Sequence, residues 1–232
     1  MAWLTTYLSS SIGRKLTMSL TGLFMILFLV VHLLGNFQLL HDDQGEAFNR
    51  YTYFMTHFPL IKMISYGLYF FILAHTVQGL WLWLDNRKAK GQTYAVKTRP
   101  PGVTWASGNM ALLGTLILAF LIIHMAQFWG QMHFGDMPET TFYAGFNEGK
   151  GVKDLYGLVA TAFKDPLMIA LYIIGQVVLA FHLWHGFQSA FQTLGVNHPK
   201  YTPMIQFVGK AFSILVPAGF AAIPIIFYWT HR

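Results

Sequence analysis

Residues 17–40 read TMSLTGLFMILFLVVHLLGNFQLL. The run stays apolar for longer than the roughly 20 residues needed to cross a hydrocarbon core about 30 Å thick. It also holds a histidine, His32, well inside it. Four more apolar runs follow at approximately 60–84, 108–130, 166–193 and 205–229, and His75, His124 and His182 repeat the anomaly in all but the last. An imidazole in lipid is costly without a partner, so each marks a proton path, a ligand or a metal.

Composition agrees with a membrane location. Of 232 residues 55% are hydrophobic and only 10% charged, with a mean hydropathy of +0.46, whereas a soluble domain carries about a quarter charged residues. The expectation is an all-α fold, one integral membrane domain (1–232) of five transmembrane helices. The opening MAWLTTYLSSSIGRK puts a basic pair before a long run without a small-residue cleavage site, which reads as a retained first span. The chain has no cysteine. That excludes protein-ligated iron–sulfur clusters within it, disulfides and thioether-linked haem.

The formal charge of +6 is a matter of topology rather than nucleic-acid binding. With the N-terminus cytoplasmic, the inner segments hold Arg14, Lys15, Arg87, Lys88, Lys90, Lys97, Arg99, Lys200 and Lys210, opposed only by Asp85. The outer segments mix Arg50, Lys62, Lys150, Lys153, Lys164 and Arg232 with every other acid. Lys and Arg near span ends favour the cytoplasmic side.

Pro59 and Pro166 start the second and fourth spans, where a missing N–H costs little, and Asp165 suits an N-cap. The fifth span lacks a deep histidine; Pro217 and Pro224 should bend it, so it reads as a packing helix. Residues 131–164 read as a long outer loop, with a short interfacial helix over 152–163.

Helical rise converts position to depth. His32 falls about 25 Å from the inner surface and His124 at a similar depth, whereas His75 falls about 15 Å from that surface, close to the level of His182. The spacing therefore pairs His32 with His124 near the outer face and His75 with His182 nearer the inner face. Two bis-histidine centres result, and haem iron fits them best. Both inner histidines open an HxxxG pattern: a glycine one turn on, Gly79 or Gly186, shares the histidine's face and leaves room for a flat macrocycle. His185, three residues after His182, is a rival ligand on geometry alone; the match to the second span favours His182. Interhelical hydrogen bonding and proton relay are the competing uses of such histidines, but these spans contain no carboxylate to serve a relay. His41, His57, His133, His198 and His231 lie at span ends or in loops, where packing is the default.

The run from Lys15 through Ser19 to Gly22, followed by His32-Leu-Leu-Gly-Asn36, resembles the first helix of the single-chain cytochrome b subunit of succinate dehydrogenases and fumarate reductases. The loop Phe48-Asn49, the His75 segment, His124, and the stretch from Phe181-His182 to Gly195 extend the resemblance over nearly the whole chain. It implies a two-haem-b anchor in a bacterial cytoplasmic (inner) membrane, embedded in lipid. Menaquinone would be its quinone. Its partners would be a flavoprotein subunit with FAD and an iron–sulfur subunit, both on the cytoplasmic face, and a higher oligomer of the complex stays open. Ser19 matches a family serine that bonds a haem propionate, a role a hydroxyl suits; capping or bonding back within its own helix is the competing use. The family's functional glutamate near the second helix has no secure counterpart, Glu46 being the nearest acid. Quinone carbonyls need hydrogen bonds and a proton route to water; Asn36, Gln38, His41 and Gln127 sit at the outer level for such a role. Two other readings compete: a cytochrome b subunit of hydrogenase or formate dehydrogenase type, and a transporter whose histidines bind an ion.

Overall fold

The computed structural model describes residues 6–7, 10–90, 103–137 and 139–230; Lys97, Arg99, His231 and Arg232 lie outside them. The fold is all-α apart from one two-stranded ladder. Among the described residues five helices are long and apolar enough to cross a membrane. The first is α1, Ser11–Asn36, capped by Ser10, whose side chain accepts from Gly13 N. Then come α2, Glu46–His57, and α3, Pro59–Lys90. A single turn, α4, Trp105–Gly108, precedes α5, Met110–His124. A π-helical segment, Met125–Gly130, and a last turn, α6, Gln131–Phe134, carry that span onward. After α7, Leu155–Ala162, the last two spans are α8, Pro166–Thr193, and α9, Thr202–Thr230. Asp165 caps α8 by accepting from Leu167 N at 2.9 Å. Both internal prolines leave α9 helical, as neighbouring helices in lipid allow.

Packing runs round a ring, α1 on α3, α3 on α5, α5 on α8 and α8 on α1, while α9 lies outside it against α8 and α1. This makes a four-helix bundle with α1 diagonal to α5 and α3 diagonal to α8. Close approach is local: a Cβ on Gly175 of α8 would sit 2.6 Å from the Phe120 ring of α5, and one on Gly209 of α9 would sit 2.7 Å from Phe187 of α8. Exposed Trp81, Trp83, Trp105 and Trp184 gather at one end of the spans, and half-buried Trp129 and exposed Trp229 at the other. Two such girdles mark the faces of a membrane slab.

The Trp129 end carries a folded cap in place of an irregular loop. Residues 46–57, which include the stretch expected as a loop, form α2, because Asp43 accepts from Gly45 N at 3.0 Å and Ala47 N at 2.8 Å. Gly45 takes φ +88° there with the Tyr156 ring against it, so a side chain at this position is excluded both by backbone and by space. The segment expected as one loop with a helix over 152–163 instead pairs β1, Glu139–Thr141, with β2, Val152–Lys153. Its helix begins only at Leu155, because the Asp154 carboxylate accepts from Gly157 N at 3.0 Å. Asn49, 1% exposed, joins α2 to this segment. Its amide nitrogen donates to Tyr143 Oη and Asp154 Oδ1, both at 2.9 Å, and its oxygen accepts from Tyr156 N at 3.0 Å. Burial pushes the Tyr143 phenol up, the Asn49 bond opposes this, and the nearby carboxylates of Asp154, Glu46 and Asp43 push the same way as burial.

The main buried cluster joins this cap to α1, α8 and α9 through Leu33, Phe48, Val159, Phe163, Tyr172, Ile223 and Phe227. Asn49→Leu leaves several cap donors and acceptors unpaired, at about 1–3 kcal/mol per buried group. It should lower the unfolding midpoint of the detergent-solubilised protein, followed by tryptophan fluorescence, while the spanning helices keep their far-UV signal.

Candidate functional site

Each of α1, α3, α5 and α8 turns one histidine toward the bundle interior, and the rings meet across the two diagonals. His32 and His124 have ring centroids 5.8 Å apart with planes at 81°. His75 and His182 have centroids 6.3 Å apart with planes at 63°. On α8 the ring that faces His75 is His182. The pairs lie at different levels. From Thr21, which touches His75, to His32 along α1 is about 16 Å of helix, and from Tyr172, which touches His124, to His182 along α8 is about 15 Å. Two independent helices thus give the same separation.

Aromatic rings wall the pair nearer the cap. Phe28 stacks on His32 at 5.1 Å, Phe220 of α9 lies 5.4 Å from it, and Phe120 and Phe128 flank His124 at 5.9 and 5.5 Å. The other pair has glycines in attendance. A Cβ on Gly22 would meet the His75 ring at 3.4 Å, one on Gly79 would meet only the terminal methyl of Met18, at 3.7 Å, and one on Gly186 would meet no atom within 4 Å.

Hydroxyl groups reach two of the four rings. Thr21 Oγ1 lies 3.1 Å from His75 Nδ1 and Tyr172 Oη lies 3.3 Å from His124 Nδ1. Among the described residues buried His182 Nδ1 has no hydrogen-bond partner. Asn36 donates to the His32 carbonyl at 2.7 Å and its amide nitrogen lies 3.4 Å from His32 Nδ1. Gln127 accepts from Tyr172 at 2.8 Å. Gln38 is half-buried in the single 3-10 turn after α1. Buried Ser19 donates to the Lys15 carbonyl at 3.0 Å, the bond within its own helix.

This donor set fits haem. Among the described residues no group of three or more His, Cys, Asp or Glu is placed to hold a metal ion, and two imidazoles are too few for a four-coordinate protein-built zinc site. His32 with His124, at 5.8 Å between centroids, and His75 with His182, at 6.3 Å, would be the residues that hold a metal between their rings. A macrocycle would supply the remaining ligands, and the half-buried rings and bare glycine faces leave it room.

No family model matches the chain, and no solved structure matches it. Its sequence is similar to the succinate dehydrogenase cytochrome b558 subunit of Bacillus subtilis (strain 168). The two are 23% identical over 200 residues, which cover 85% of this chain and 86% of that protein. The similarity spans nearly the full length of both and supports the resemblance carried by the histidine-bearing helices.

At the end of the bundle away from the cap, Arg14 of α1 pairs with Asp85 of α3 and lies over the Trp81 ring at 4.8 Å. Lys210 lies over Trp184 at 5.8 Å. Two of the remaining histidines pack locally: His57 stacks on Tyr53 at 3.9 Å and His133 lies against Trp129 at 4.5 Å. Sequence reasoning missed Thr21 and Tyr172. The available signal was a hydroxyl at the depth of each pair, inside a span that lipid would otherwise keep apolar.

Proposed function

We propose that the chain is the dihaem cytochrome b membrane-anchor subunit of a succinate:quinone oxidoreductase. The observation that carries this reading is the presence of two imidazole pairs on the two diagonals of one bundle, with centroids 5.8 and 6.3 Å apart. When bound, haem iron supplies one-electron redox chemistry at each level. His32 and His124 hold the outer group, and His75 and His182 the inner one. Gly79 and Gly186 keep the helix faces beside the inner pair clear, and the aromatic wall of Phe28, Phe120, Phe128 and Phe220 keeps water from the outer pair.

The cap end faces outward and the N-terminus is cytoplasmic. The inner face carries Arg14, Lys15, Arg87, Lys88 and Lys200 with one acid, Asp85, which Arg14 already neutralises. Its basic balance suits docking of an iron–sulfur subunit and its flavoprotein, which hold the iron–sulfur clusters and FAD and perform the succinate chemistry. Menaquinone is the membrane substrate, met near the outer level. Gln38, Asn36 and Gln127 are its candidate contacts there, the last two already engaged with His32 and Tyr172. The similarity to a succinate dehydrogenase cytochrome b558 subunit supports this reading over the hydrogenase-type and transporter alternatives.

Single alanine variants test it. His75→Ala and His182→Ala should each remove the inner haem and spare the outer one, His32→Ala and His124→Ala should do the reverse, and His185→Ala should keep both. Reduced-minus-oxidised spectra with pyridine-haemochrome quantification read the result. Haem loss in His185→Ala with retention in His182→Ala would reassign the ligand on α8, and retention of both haems in all four ligand variants would defeat the proposal.

A further inference from the structure

A hydroxyl has one proton to give. Thr21 commits its proton to the Thr17 carbonyl at 2.7 Å, and Tyr172 commits its own to Gln127 Oε1 at 2.8 Å. Each oxygen then faces an imidazole nitrogen, His75 Nδ1 at 3.1 Å and His124 Nδ1 at 3.3 Å, with lone pairs alone. With the hydroxyl protons so placed, those nitrogens are the donors. With the proton on Nδ1, the neutral ring presents an unprotonated Nε2, the form that ligates a metal.

Resting on the haem reading above, we propose that Thr21 and Tyr172 are positioning residues, one for each pair, which fix the tautomer of one histidine of that pair and raise its basicity. Among the described residues the other member of each pair has no such acceptor at Nδ1. His182 Nδ1 is buried and unpartnered, and His32 Nδ1 faces only the Asn36 amide nitrogen, itself a donor, at 3.4 Å. Each centre thus combines one keyed and one unkeyed imidazole. The key always comes from the neighbouring helix in the ring: α1 keys α3, and α8 keys α5. Gln127, which takes the tyrosine proton, lies in the π-helical segment that begins directly after His124. Wider turns of this kind recur at functional sites because they re-aim side chains relative to the preceding α-helix.

A hydrogen bond from Nδ1–H makes the imidazole a stronger donor and favours ferric iron, so its removal should raise the midpoint potential of that centre alone. The test is potentiometric titration of the haem-loaded complex, followed at the α-band, in Thr21→Val, Thr21→Ser and Tyr172→Phe. Thr21→Val should raise the component that His75→Ala removes and leave the other in place. The expected size is on the order of a tenfold change in the ferrous-to-ferric ratio at fixed potential, about 59 mV for one electron. Thr21→Ser, which keeps the acceptor, should return the midpoint to that of the parent protein. Tyr172→Phe should raise the component that His124→Ala removes. Loss of only the inner haem in Thr21→Val with full retention in Thr21→Ser also supports the assignment. Two haems with unmoved or lowered midpoints, or both components shifting together, would overturn it. A parent protein without haem would instead overturn the reading on which it rests.

Discussion

A bundle in lipid has no hydrophobic drive to pull its helices together, because the surrounding tails are as apolar as leucine. What holds this one in register is contact between specific groups in its interior, and the imidazole pairs are the central ones. His32 meets His124 and His75 meets His182 across the diagonals. The ring α1–α3–α5–α8 must bring all four spans to matching depth for those meetings to occur. Hydroxyl contacts then tie the sides: Thr21 links α1 to α3, and Tyr172 links α8 to α5. The buried cluster lies elsewhere, between the cap, the half of α1 nearer the cap, α8 and α9. Side-chain packing therefore secures one end and one flank, while polar contacts order the interior around the histidines.

The ninth helix illustrates the division. It carries no deep histidine, packs outside the ring against α8 and α1, and sets Phe220 beside His32. Leu33 packs close to Gly219, so the small residue brings α9 near enough for that aromatic contact. At the end away from the cap the Arg14–Asp85 pair joins α1 to α3.

Much of this was legible in the sequence for physical reasons. Long apolar runs leave few alternatives to spanning helices, and a fixed rise per residue turns the positions of His32, His75, His124 and His182 into depths that match in pairs. What escaped reading depends on contacts distant in sequence or on local capping. The α2 helix is set by Asp43 and by Asn49 reaching the 143–156 segment, not by any long apolar stripe. The π-helical turn at Met125–Gly130 has no proline or glycine at its start to announce it. Ser19, matched by resemblance to a propionate contact, bonds its own helix. Asn36, read for its interfacial position, is turned back on the His32 carbonyl.

The most direct test of the central claim is haem stoichiometry. The detergent-solubilised complex is isolated through this chain from cells with haem available, and its pyridine-haemochrome content is measured against chain concentration. Two b-type haems per chain is the predicted result. A helical, monodisperse preparation without haem would contradict the account at its root, since the histidine pairs would then serve some other partner.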